Sequence, residues 1–131
     1  MKTVKQLALF LENKPGALSK VCRALAAVGI NINAISVSDA VDHAVVRMVV
    51  SDAQRALHLL GEHGVLVIER DVLMFEGRNK PGELGRIAAK LANHKINIEY
   101  AYSATPLNAS TGAMVLRVNN PKKAMRILKG R

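Results

Sequence analysis

Aromatic residues are scarce in this chain of 131 residues, which contains two Phe, two Tyr and no Trp. The interior of the folded protein must therefore be built from Ile, Leu, Val, Ala and Met. Cysteine is nearly absent as well. Cys22 is the only one, so an intrachain disulfide is excluded and we expect a reducing, cytoplasmic location. We expect Cys22 itself to be a small core residue and not a nucleophile.

Long apolar runs are also missing. The apolar N-terminal run is interrupted by Glu12 and Lys14 too early for a signal peptide. No apolar stretch elsewhere approaches the ~20 residues that are needed to cross a bilayer. The sequence therefore predicts no membrane association.

Acidic residues are rare in the second half of the chain. Residues 1–76 contain eight Lys or Arg and eight Asp or Glu, whereas residues 77–131 contain eleven Lys or Arg and only Glu83 and Glu99. The whole net charge of +9 thus comes from the second half. Such an asymmetry indicates an anionic partner or a solvated basic face.

The main feature that the sequence does contain is an internal repeat. Residues 12–38 and 78–104 match at a constant offset of 66, with many identities. The recurring residues in the first copy are Asn13, Lys14, Pro15, Gly16, Leu18, Leu25, Ala26, Ile30, Asn31 and Ile32. We therefore expect two units, residues 1–70 and residues 71–131, with no linker between them.

Apolar periodicity predicts the same elements in both units. The first unit has strand 4–11, a helix that begins at Pro15 and ends at Gly29, strands 30–38 and 44–50, helix 53–63 capped by Ser51 or Asp52, and strand 65–68. The second has strand 72–76, helix 81–94, strands 96–103 and 113–118, and helix 120–129. The order β-α-β-β-α-β predicts an α+β, ferredoxin-like fold with helices on one face of each sheet.

The second unit lacks an evident final strand. Either that edge of its sheet stays open, or another segment fills it, such as one from a second chain.

The pattern strand, N-x-P-G-x-L, helix, I-N-I, strand occurs twice and resembles the ACT domain, a small ligand-binding regulatory module of amino-acid metabolism. The Asn of the loop and the Asn of I-N-I are eighteen residues apart in both copies. The resemblance covers nearly the whole chain. It is closer to stand-alone tandem ACT proteins than to enzymes with an ACT tail, so we expect no enzyme.

The resemblance implies a site for a free amino acid between the strand–helix loop of one unit and the second strand of a neighbouring unit. We also expect a homodimer. A carboxylate is favoured by the helix start, and an Asn amide suits either charged group of an amino acid. The predicted ligand-binding residues are Asn13, Pro15, Gly16, Ala17, Leu18 and Asn31 in the first unit and Asn79, Gly82, Glu83, Leu84 and Asn97 in the second. The position of Ala17 in the first copy is occupied by Glu83 in the second, so the two sites need not bind the same ligand.

Other interpretations remain open at this point. Asn-x-Pro-Gly is also a good strand-to-helix turn in which Asn bonds its own backbone. The chain could be a regulatory subunit of an amino-acid biosynthetic enzyme, of the acetohydroxyacid synthase small-subunit type. A basic nucleic-acid-binding protein is less favoured, because the third strand of each unit has no aromatic residue. No His, Cys, Asp or Glu cluster indicates a metal, a cofactor or a catalytic group.

Overall fold

The computed structural model describes residues 1–129, which form six strands and four helices. The strands are β1 Lys2–Glu12, β2 Ile32–Asp39, β3 His43–Val50, β4 Leu66–Arg78, β5 Ile98–Ala104 and β6 Thr111–Val118. The helices are α1 Ala17–Ala27, α2 Ala53–Glu62, α3 Glu83–Asn93 and α4 Pro121–Lys129. The chain divides into two compact units, residues 5–70 and residues 1–4 with 71–131, called the first and the second unit below. The predicted α+β class is confirmed.

The first unit has the strand order β2-β3-β1-β4, the order of a ferredoxin-like sheet. β3 pairs antiparallel with both β1 and β2. Its core is formed by the apolar stripes of α1 and α2 against one face of the strands. The fully buried members are Leu7, Leu9, Leu25, Val46, Met48, Ala56 and Leu60. Cys22, predicted in this core, is a half-buried free thiol outside the buried cluster.

The second unit has the order β1-β4-β6-β5, with β4 and β5 both antiparallel to β6. Residues 1–4, which the repeat alone places in the first unit, group with residues 71–131. The first residues of β1 therefore take the place of the missing final strand. The core contains the fully buried Leu73, Ile87, Leu91, Leu116, Val118, Ala124 and Leu128.

A break that the sequence predicts between two strands is absent, whereas the predicted helix cap is present. The predicted strands 65–68 and 72–76 form one strand, Leu66–Arg78. Residues 69–71 contain no Gly, Pro or Asn to make a turn, and Glu69 and Arg70 are exposed, so their charges do not interrupt the strand. Helix α2 is capped by Asp52, whose carboxylate accepts a hydrogen bond from the Arg55 N–H at 3.1 Å, as predicted.

Candidate functional site

The loop between β1 and α1 in the first unit ends at Gly16, which has φ 90° and ψ −19°. This left-handed conformation favours glycine, and it delays the helix to Ala17, two residues after the predicted start at Pro15. No side chain caps this helix start, and its first turn contains no acidic residue. The N–H groups that begin a helix have no intrahelical partner. The start of α1 is therefore a suitable place for a carboxylate from outside the chain.

Asn13 connects this loop to the far end of β2. Its side-chain amide Nδ2 donates a hydrogen bond to Oδ1 of Asp39, the last residue of β2, at 2.6 Å. Asp39 is not among the ligand-binding residues that the sequence predicts. The signal that could have identified it is topological, because β2 runs back toward the end of the molecule where α1 begins.

Asn31 lies just before the opposite end of β2. Its backbone is held by Ser51, whose hydroxyl accepts from the Asn31 N–H at 2.9 Å and whose N–H donates to the Asn31 carbonyl at 2.8 Å. The exposed side-chain amide donates to Asn33 Oδ1 at 2.9 Å. The eight residues of β2 span about 26 Å, so Asn13 and Asn31 of one unit do not meet around one ligand.

The loop of the second unit has the same backbone form, since Gly82 has φ 88° and ψ −4°. Asn79, however, is held by the turn between β5 and β6. Its Nδ2 donates to the Ala109 carbonyl at 2.7 Å and its N–H donates to the Ser110 carbonyl at 2.9 Å. Asn97 lies at the other end of the unit, where its N–H donates to Asn119 Oδ1 at 3.1 Å.

Glu83 marks the largest difference between the two loops. It is buried, with 5% of its surface exposed, and one carboxylate oxygen accepts the Arg78 N–H at 2.9 Å. The other oxygen accepts two hydrogen bonds from the Arg86 guanidinium, at 2.9 and 3.0 Å. Ala17 occupies this position in the first unit, where no such carboxylate exists.

A cavity of about 170 Å³ lies beside the second loop. It brings together the predicted residues Asn79, Glu83 and Leu84, with Ser103 and Thr105 of the β5 end. Leu84 is 48% exposed at this cavity and is not part of the buried core of the second unit. The core of the second unit has no apolar side chain in place of Leu11, because the matching residue is Gly77.

The first unit has a wider groove of about 450 Å³ along α1, which includes Ala17 and the charged side chains of Glu12, Lys14 and Lys20. Neither Asn13 nor Asn31 lines it. A larger, open concavity of about 990 Å³ runs beside α2 and contains none of the predicted site residues. It is lined by α2 side chains and by Val28 at the end of α1.

The two loops also differ in their ion pairs. In the first unit Lys14 donates to the Glu12 carboxylate at 2.8 Å. This hydrogen bond, reinforced by the charge of Lys14, lowers the pKa of Glu12, and Glu12 in turn raises the pKa of Lys14.

In the second unit both acidic residues of the stretch 77–129 are paired with arginine. Glu83 is paired with Arg86, and Glu99 with Arg117 at 3.1 Å. Each of these carboxylates offsets one arginine, so the stretch keeps its net positive charge.

Residues 1–129 contain no group of three or more His, Cys, Asp or Glu side chains arranged to hold a metal ion. Within the same range, none of the helices has the length and apolar character that a membrane span requires.

The chain has two ferredoxin-like units. Each has a strand–helix loop that ends at a left-handed Gly, and an Asn before its second strand. This combination is typical of a small regulatory domain. The family model described as an ACT domain pair matches residues 2–130. The chain belongs to the ACT domain family, with two domains in tandem. The resemblance seen in the sequence is thus confirmed.

Solved structures agree with this assignment. The protein BT0572 from Bacteroides thetaiotaomicron is 34% identical with a TM-score of 0.90, and the match covers 98% of this chain and 88% of that one. The ligand-free regulatory subunit of aspartate kinase from Thermus thermophilus is 21% identical with a TM-score of 0.72, over 99% of this chain and 97% of that one. The corresponding subunit from Thermus flavus is 24% identical with a TM-score of 0.66, over 96% and 90%. The two Thermus proteins show likeness of fold. No curated protein matches this chain.

Proposed function

We propose that this chain is a non-enzymatic regulatory protein that binds a free amino acid at an interface between ACT units of two copies. The observation that carries the proposal is the position of Asn13 and Asn31. They mark opposite ends of β2, which is the edge strand of the first unit. A ligand that needs both side chains must therefore bridge two edges.

The edge strand has the character of an association surface. Ile35 and Val37 are 43% and 53% exposed, although they lie opposite the fully buried Met48 and Val46 in the strand register. Pairing of β2 with β2 of a second copy, antiparallel, would extend the sheet and cover both side chains. The same pairing would bring Asn13 of one copy next to Asn31 of the other.

The groups at such a junction suit a zwitterion. The uncapped start of α1 favours the α-carboxylate. The side-chain oxygens of Asn13 and Asn31 accept no hydrogen bond from the described part of the chain, so they are available to an α-ammonium group. The carboxylate of Asp39, 2.6 Å from Asn13, adds a negative charge for the same ammonium.

Regulation follows if the amino acid binds the paired arrangement more tightly than the separate one, because only differential affinity shifts such an equilibrium. A partner enzyme would respond to the paired arrangement. The resemblance to regulatory subunits makes an enzyme of amino-acid biosynthesis the expected partner, and co-purification from the native host tests that expectation.

The test of binding is a thermal-shift screen of the purified chain against each of the twenty amino acids at millimolar concentration. A ligand at about 100 times its Kd stabilises the native state by ~2.7 kcal/mol, which is a measurable shift for a chain of this size. We expect one amino acid or a few related ones to raise the melting temperature. Asn13→Ala and Asn31→Ala should each remove the effect, whereas the control Asn93→Ala, on the exposed end of α3, should retain it.

The interface is tested by Val37→Lys, which places a charge on the exposed edge strand. Sedimentation should show a monomer that no longer responds to the amino acid. A monomeric variant with full ligand response would contradict a bridging site. If no amino acid raises the melting temperature of the wild type, the proposed binding of an amino acid is contradicted.

A further inference from the structure

Glu83 is a buried carboxylate with a complete set of donors. Both of its oxygens are engaged, one by the Arg78 N–H and the other by the Arg86 side chain. Burial of a charged group is unfavourable unless it is paired and hydrogen-bonded, and here both conditions are met. The Arg78 N–H and the Arg86 guanidinium thus act together as donors to a carboxylate, and they are called the receptor below.

The space for that carboxylate is made by a second replacement. A Cβ atom on Gly77 would lie 2.5 Å from Met114 Sδ and 3.8 Å from Glu83 Cγ, so the missing side chain admits both neighbours. At the matching positions of the first unit stand Leu11 and Ala17, a large residue and a small one. The second unit has exchanged the two sizes: Met114 fills the space left at Gly77, and the Glu83 side chain packs beside it at van der Waals distance.

The receptor lies in the predicted effector region of the second unit. Glu83 and Asn79 line the same cavity of about 170 Å³, and Glu83 directly follows Gly82, the counterpart of Gly16. A carboxylate ligand that entered here would meet the negative charge of Glu83, whose donors are already taken.

We propose that the second unit contains a carboxylate-binding site that its own Glu83 occupies, so that this chain takes up an amino acid only at the loop of the first unit. The statement about the first unit rests on the function proposed above. The statement about the second unit does not, because it concerns small carboxylates in general and is tested with one.

The probe is acetate. Replacing Glu83 by Ala removes the carboxylate and leaves the Arg86 guanidinium and the Arg78 N–H without it. Sodium acetate, compared with sodium chloride at equal ionic strength, should raise the melting temperature of Glu83→Ala by about 5 °C in a saturable manner. Glu83→Ser, which also lacks the carboxylate, should respond likewise. The wild type and Glu83→Gln, whose side chain fills the space, should not respond.

The signal of the second unit can be read separately, because Tyr100 and Tyr102 are the only tyrosines and the chain has no Trp. Tyrosine fluorescence therefore reports β5. If neither small variant is stabilised by acetate, including the case in which neither folds in either salt, Glu83 is a structural ion pair and the proposal is overturned.

A second experiment uses the wild type and hydrogen exchange, with a mixture of the twenty amino acids at millimolar concentration as the probe. Protection of residues 12–17 without protection of residues 78–84 is the expected result. Protection of residues 78–84 would overturn the occupied site. Protection of neither loop would remove the amino-acid function, and the acetate experiment would still decide whether Glu83 fills a carboxylate site.

Discussion

Gly77→Leu places the residue of the first unit, Leu11, into the second unit. The new Cβ atom would lie 2.5 Å from Met114 Sδ and 3.3 Å from its Cγ, and Met114 is 8% exposed. Inserting such a side chain into a packed site costs about 1–3 kcal/mol. Displacing Glu83 from its buried donors costs roughly 1–3 kcal/mol more. We therefore expect the free energy of unfolding of the second unit to fall by about 2–6 kcal/mol.

The compensating change is Glu83→Ala, which restores the size pattern of Leu11 and Ala17. Counted in non-hydrogen atoms, the gain in size from Gly to Leu equals the loss in size from Glu to Ala. The double variant should consequently lose less stability than the sum of the two single variants, with a coupling energy of about 1–2 kcal/mol.

Urea unfolding followed by tyrosine fluorescence is the assay, because both tyrosines lie in β5. Gly85→Leu is the matched control. Gly85 lies in α3 with nothing within 4 Å of an added Cβ atom, so this change should be neutral or stabilising. The size-exchange explanation fails if Gly77→Leu is as harmless as the control, or if the double variant shows the full sum of both losses.

Three further predictions concern the units themselves. Deletion of residues 1–4 removes the strand residues that group with the second unit, and the tyrosine-monitored transition should lose roughly 1 kcal/mol; an unchanged midpoint would show that these residues contribute nothing there. Leu91→Ala opens a cavity at a fully buried position and should cost ~2–5 kcal/mol in the same assay, with a loss below that range arguing against a packed α3 core. Lys14→Met should raise the pKa of Glu12 toward its usual 4.5 in an NMR titration, because the folded-state pKa is lowered mainly by the Lys14 hydrogen bond. The stability that this exposed pair contributes is present above the unfolded-state pKa of Glu12 and is lost as the pH falls through the folded-state value, so an unmoved titration would mean that the pair does not persist in solution.

Much of the fold was predictable because it is encoded in local patterns. The apolar stripes of α1 and α3 place Leu25 and Leu91 in the two cores, and both are fully buried. Asp52 caps α2 because a short carboxylate reaches the N–H groups of the first turn. Each of these features depends on residues that are neighbours in the sequence.

The candidate site was predictable as a set of loops but not as a set of contacts. Asn13 and Asn79 hold equivalent positions, yet one bonds a side chain in β2 and the other a backbone carbonyl in a longer turn. The partner of each Asn is more than twenty residues away and differs between the units. A repeat pattern cannot give such partners.

By itself, the sequence determined the duplication, the order of helices and strands, the core stripes and the family, because periodicity and spacing act over a few residues at a time. Only the tertiary structure decided that residues 1–4 complete the second unit and that Glu83 is buried under its own loop. Both outcomes depend on space and hydrogen-bond donors supplied by distant parts of the chain, such as β4 beside β1 and the gap that Gly77 leaves next to Met114. Such space exists only once the elements have packed.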